Sequence, residues 1–294
     1  MWHTGVVEAA TLPGGVATRE AGRLVGFMIG REELTPQDSM GARWGDPRAG
    51  FIPLEGHAVA GDANALDVYL AMYAAVSETW VRDGFFSHGA HVLAAATAAH
   101  DAFVAMGFGR KVVVAVRLID PLLSPSDKVI VREATEDDTR AIHRLVEELD
   151  LYHTRAPIFL PMDPATNAAA SNFMDAVIAN PKGAIFLAEQ DGRPVGMNSL
   201  LPESFIPKSG QGEGQVYLYQ GIVSSAARSN GTGEALLARS LRWAREQGYS
   251  QVALHYFSAN PAGGAFWRKH GFAAAQYAMS RRVDDRIAWA RDWR

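Results

Sequence analysis

Residues 227–237 read ARSNGTGEALL. An apolar, β-branched and aromatic run, GQVYLYQGIV at 214–223, precedes them, and an amphipathic run, GEALLARSLRWAREQ at 233–247, follows. Strand, glycine-bearing turn, helix is the order this predicts. The turn would then deliver backbone N–H groups at a helix start into open space, where unpaired donors and the helix dipole favour an anion. Glycine at 231 and 233 would let a phosphate approach those amides, and Arg228 would add a charged hydrogen bond. A plainer reading keeps Asn230-Gly231 as a tight turn between two strands. Two other phosphate loops fail on residues. A Walker loop needs Gly-Lys followed by Ser or Thr, but Glu234 follows Gly233; a dinucleotide fingerprint needs Gly or Ala near 236, where Leu236 stands.

Working outward, VIVREATEDDTRAIHRLVEELDL at 129–151 begins as a short strand, and Thr135 with Asp138 three residues on is a helix-start signature. Ile142, Leu145, Val146 and Leu149 then share one helical face, and Asp191-Gly192 joins two extended runs as a hairpin. Leu236, Leu237, Leu241 and Ala244 form the inner face of the helix after the turn. A further strand at 251–257, a short helix at 261–271 and a last strand at 273–283 complete an α+β, mixed α/β pattern.

The first half repeats this order faintly. GRLVGFM at 22–28 resembles GRPVGMN at 192–198, and Gly84, Phe103, Gly107 and Phe108 match Gly248, Trp267, Gly271 and Phe272 at one constant offset. Leu66, Tyr69, Leu70, Tyr73, Val76 and Trp80 are spaced as a buried helical stripe. The expected division is a truncated copy over 1–121, a Pro- and Ser-bearing linker at 122–128, and a second copy over 129–294. The first copy has only about 20 residues ahead of its GRLVG element, against about 60 ahead of GRPVG, so it is expected to lack the opening helices.

The 294 residues are 48% apolar, and 28 Lys and Arg stand against 32 Asp and Glu. This near balance gives no footprint for nucleic acid or an anionic membrane and favours small-molecule or protein partners. With no cysteine, a disulfide scaffold, a thiolate nucleophile and sulfur-built zinc are excluded, and no metal site is expected. The N-terminus lacks the pattern of a signal peptide, so a cytoplasmic location is expected.

Val223, Arg228, Gly231 and Gly233 resemble the V-x-x-x-x-R-x-x-G-x-G loop of the GCN5-related N-acetyltransferases (GNAT). NPAGGAFWRKHGF at 260–272 resembles that family's second signature, and VREATEDDTRAIHRL its first strand and helix. The resemblance implies two GNAT-like domains, each a mostly antiparallel twisted sheet with helices on both faces and a splayed strand pair. It implies acetyl-CoA as co-substrate, bound through Ile222, Val223, Arg228, Ser229, Asn230, Gly231, Thr232, Gly233, Asn260, Phe266 and Trp267. The implied reaction is direct acetyl transfer to a primary amine of a small molecule or peptide. A catalytically weak acyl-CoA sensor or scaffold is the alternative.

The resemblance also sets the expected roles. A backbone N–H near Val223 would meet the developing oxyanion. His255 is the candidate base, since an imidazole is competent near neutral pH; a merely structural hydrogen bond is the other reading. Trp267 stands where the family commonly has tyrosine as the acid, and indole does not give up its proton, so Tyr219, Tyr256 or a water would protonate the thiolate. Tyr152, His153, Arg155 and Phe159 would either line an acceptor wall or lie in a solvated loop. Pro202 and Pro207 with Gly210, Gly212 and Gly214 read as a lid. In the first copy, Ala63, Leu66 and Val68 face Arg228, Gly231 and Gly233, and Ala96 faces Asn260; apolar side chains there would fill the phosphate space. One chain would be a monomer with an internal pseudo-dimer, or a homodimer.

Overall fold

A computed structural model describes residues 8–12, 15–124, 128–162, 164–202 and 212–290. Two compact units cross the linear order of the chain. One takes the chain up to Pro36, Gly45–Val113 and the chain from Ala274; the other takes Gln37–Trp44 and Val114–Ala273.

In the first unit, β1 (Glu8–Leu12), β2 (Gly15–Glu20), β3 (Arg23–Ile29) and β6 (His57–Val59) form one antiparallel sheet. β1 ends at Leu12 and β2 begins at Gly15. A second set runs β4 (Arg31–Leu34), β5 (Arg48–Ile52), β7 (Ser87–Leu93), β14 (Ala273–Arg282). The pairing is antiparallel for β4 with β5, parallel for β5 with β7, and antiparallel for β7 with β14. The helix α1 (Ala65–Arg82) buries Val68, Tyr69, Met72, Tyr73, Val76 and Trp80 against a core shared with α2 (Thr97–Ala105). The expected stripe is therefore rotated: Leu66 and Leu70 are 40% and 43% exposed, and Val68 and Met72 take their place. Periodicity found the face but missed its centre, because sheet packing rather than the apolar count sets which residues point inward.

In the second unit the strand order is β8 (Gly109–Leu118), β13 (Gln251–Phe257), β12 (Gln215–Val223), β11 (Arg193–Leu201), β10 (Ala184–Gln190), β9 (Ile130–Glu133). The β10–β11 hairpin turns on Asp191 and Gly192, both at positive φ. Thr135 and Asp138 form the expected capping box ahead of α3 (Thr139–His153). Asp138 also receives both terminal nitrogens of Arg132 from β9, at 2.7 and 2.8 Å, and that guanidinium holds its carboxyl well below the usual range. The strand and helix are thus tied by a bidentate ion pair.

Ile142 and Leu145 of α3 join Met174 and Val177 of α4 (Pro164–Ile178) over Ile185, Leu187 and Met197 on one face of the sheet. The alternate residue Phe186 points to the opposite face and meets Trp243 of α5 (Thr232–Glu246) at 6.2 Å. Helices therefore cover both faces. The reading of 129–183 as strand, helix and loop omits α4, although Pro164 at its first position and Phe173, Met174 and Val177 carry a helical signal. No described helix is long and apolar enough to cross a membrane.

Candidate active site

The site begins where two strands part. β12 and β13 pair in parallel from Gln215 with Gln251 to Tyr217 with Ala253, and β12 then runs on to Val223 and β13 to Phe257 without further pairing to each other. A register shift against β11 leaves Tyr219 as the extra residue, since Ser199 pairs with Gln220 and Leu200 with Leu218. A bulge there bends the strand away from its neighbour. A cavity of about 560 Å³ fills the opening, lined by Gly221, Ile222 and Val223 from one strand and by Leu254, His255, Tyr256 and Phe257 from the other.

At one end stands the start of α5. A short 3-10 turn, Ser225–Ala227, leads into Ser229 at φ 68° and Gly231 at φ 81°, and Gly231 caps the helix. This rules out the tight turn between strands. Ala235 N–H makes the first helical bond, to Gly231, so the N–H groups of Thr232, Gly233 and Glu234 have no intrahelical acceptor. The two glycines have different causes. Gly231 is needed for its left-handed backbone, with nothing within 4 Å of where a Cβ would stand. A Cβ on Gly233 would come within 3.2 Å of the Phe266 ring, so that glycine serves the approach of α6 (Pro261–Lys269). Thr232 is buried with its hydroxyl donating to Ala227 O at 3.2 Å, which closes the loop on itself.

Arg228 Nε donates to Val223 O at 3.0 Å, and its guanidinium lies 5.2 Å from the Tyr152 ring centroid. The Tyr152 hydroxyl donates to Asn260 Oδ1 at 3.1 Å, and the same oxygen accepts from Gly263 N at 3.0 Å. Asn260 is therefore first a helix cap for α6. Tyr152 links both signatures, a role no motif announces. Ser224 Oγ and Ser225 N–H both bind the Glu148 carboxylate of α3, at 2.6 and 3.0 Å, and fix the strand end from below the loop. Ile222 is buried in the α3–α4 core, so only its backbone edge faces the cavity region.

His255 hydrogen-bonds through Nδ1 to the Tyr217 hydroxyl and lies parallel to that ring at 5.9 Å. Burial pushes its pKa down to about 4, and burial raises the Tyr217 hydroxyl. The imidazole is thus neutral at pH 7 and a weaker base than a free one. Tyr219 lines the same cavity and meets Phe173 edge-on at 5.2 Å. Trp267 presses on the splayed strand: a Cβ on Gly221 would fall 3.1 Å from its ring. His153 lines the cavity beside Tyr152, whereas Phe159 is 69% exposed and, with Arg155, stands outside the lining. Of the expected lid, Pro207 and Gly210 lie outside the described residues, whereas Pro202, Gly212 and Gly214 are described, Gly214 at φ 64°.

Residues 147–272 match the acetyltransferase (GNAT) family. N-acetyltransferase family 8 member 2 of Rattus norvegicus is 37% identical over 75 residues, 26% of this chain and 32% of its own; the chain spans about a third of the length of the curated relatives it matches. The crystal structure of a GCN5-related N-acetyltransferase from Sphaerobacter thermophilus is similar in fold, with TM-score 0.56 at 14% identity over 92% of this chain and 80% of that one. A tandem GNAT protein from the clavulanic acid biosynthesis pathway gives a TM-score of 0.50 at 14% identity, over 92% and 82%. Residues 147–272, which hold the glycine loop and the bulged strand, are thus similar to the acetyltransferase (GNAT) family, and the solved structures share the fold.

Proposed function

We propose that this domain transfers an acetyl group from acetyl-CoA to a primary amine of a small molecule or peptide, by direct attack within a ternary complex. One observation carries the reading: the cavity between the parted strands ends at the uncapped N–H groups of α5. Those groups and Arg228 suit a pyrophosphate, and the open space around Gly231 leaves room for one. The free edge of β12 beyond Tyr217 suits an extended amide-bearing chain, which would add as a strand. When bound, acetyl-CoA supplies the activated acyl group; the protein holds, orients and moves protons.

In this reading the N–H near Val223 stabilises charge on the acyl oxygen, and His255 accepts the proton from the amine. That role requires the tautomer in which Nδ1–H donates to the Tyr217 oxygen and leaves Nε2 unprotonated. Tyr219 is assigned the return of a proton to the thiolate, since Trp267 has none to give. The first copy is read as degenerate and coenzyme-free.

A calorimetric titration with acetyl-CoA, paired with thiol release over an amine panel, tests this. One binding site per chain and a rate that falls in His255→Ala are expected. Binding without thiol release would leave the sensor reading, which the presence of Trp267 against Gly221 favours.

A further inference from the structure

Gln37–Trp44 lies between β4 and β5 in the chain, yet it belongs to the compact unit that holds the cavity. Its 3-10 turn, Met40–Arg43, packs against α4, and Trp44 follows as the capping residue. The Trp44 indole meets His255 edge-on at 5.3 Å and stacks on Phe257 at 5.6 Å with 20° between planes. His153, the last residue of α3, meets Phe257 edge-on at 5.2 Å. All four rings line the cavity.

The alternation of β13 separates this cluster from the coenzyme loop. His255 and Phe257 share one face of the strand; Tyr256 points to the other, where Gly264 of α6 packs on it with only 3.1 Å of Cβ clearance. Phe266, also on α6, is the residue that closes on Gly233 in the loop. The anion-binding groups thus stand on the α6 side of β13, and the aromatic cluster stands on its opposite side, against the candidate base. A ternary complex needs two approaches to one reacting centre, and the faces of β13 supply them.

We propose that Trp44 forms the acceptor wall of this site and selects amines carried on a flat aromatic ring. The inference rests on the acetyl-transfer reading above. Aromatic side chains offer offset-stacked and edge contacts that a short alkyl chain cannot match. A residue from early in the chain, inside the compact unit that holds the cavity, then completes the site.

The test compares phenylethylamine with propylamine in the full chain, as wild type, Trp44→Ala and Trp44→Phe, with thermal melting as the check on folding. Trp44→Ala should raise KM for phenylethylamine by about tenfold, the value of one aromatic contact. The loss for propylamine should be several-fold smaller, so that the preference for phenylethylamine falls, and Trp44→Phe should restore most of it. Equal losses for both amines, or no change for phenylethylamine, would overturn the proposal. Should Trp44→Ala not fold, the same comparison in Trp44→Leu, which keeps apolar bulk without a ring, decides it. If acetyl-CoA binds but no amine is acetylated, the transfer reading fails on its own. Equilibrium binding of phenylethylamine then judges Trp44: affinity that drops in the variant sustains the wall, and affinity that does not drop sinks it.

Discussion

Two helices begin at matching places in the two halves of the chain and do different things there. At the start of α5 the backbone passes through left-handed Ser229 and Gly231, and Gly233 has no side chain to stand against Phe266. At the start of α1, residues 60–64 include no positive φ, and Asn64 donates to the Asp67 carboxylate at 2.7 Å in the first turn. Asp62, just ahead, is paired with Arg23. Val68, expected from the sequence to face Gly233, is fully buried, so close to Gly26 that a Cβ there would lie 2.6 Å from it. Leu66, expected to help fill the phosphate space, is 40% exposed, whereas Val68 lies in the core. Charge is not the whole difference, since α5 also carries an acid, Glu234, in its first turn. Backbone conformation and side-chain volume turn one helix start into a cradle and the other into core.

Gly231→Trp should break the comparison hardest. It forces a left-handed backbone on a bulky residue and closes the loop, so acetyl-CoA binding should vanish in calorimetry while the melting temperature falls only modestly. Residual binding at one site per chain would mean that the α1 start also takes the coenzyme.

The cores of the two helices come next. Met72→Ala, at the buried centre of α1, should cost about 2–5 kcal/mol in denaturant unfolding. Leu70→Ser, one turn face away and exposed, should stay within about 0.5 kcal/mol. Similar costs for both would restore the stripe read from periodicity.

A pH series sharpens the comparison further. Burial holds His88 and His91 of the first unit and His255 of the second at about 4. Unfolded histidines titrate near 6.5, so the unfolded chain binds more protons between the two values. The stability from these three groups is therefore complete above about pH 6.5 and declines as pH falls toward 4. Melting temperature should drop over that window. The activity limb assigned to His255 should likewise lie near pH 4; a limb near 6.5 that disappears in His255→Gln would contradict the buried, neutral imidazole. Arg228→Ala should weaken acetyl-CoA binding about tenfold and reduce its dependence on salt, because one charged hydrogen bond at a half-open loop is lost.

Much of this was legible in the chain. The capping box at Thr135, the hairpin at Asp191-Gly192 and the inner face of α5 are local, so a few adjacent residues decide them. The glycine loop was legible too, although only the folded chain separates Gly231, wanted for its φ, from Gly233, wanted for its closeness to Phe266. The α4 helix escaped because an Ala- and Asn-rich run weakens its apolar stripe. Tyr152, equally a loop or wall residue in sequence, is a bridge between Arg228 and Asn260.

The sequence by itself determined the order of elements in the second half, the loop and its family resemblance, since these depend on residue types at short spacing. Only the tertiary structure decided which chain segments share a unit, how far β12 and β13 stay paired, and that Trp44 stands against His255. Those outcomes join residues more than 200 positions apart, as Trp44 and His255 are, through burial of apolar surface, which has no direction along the chain and leaves no local pattern to read.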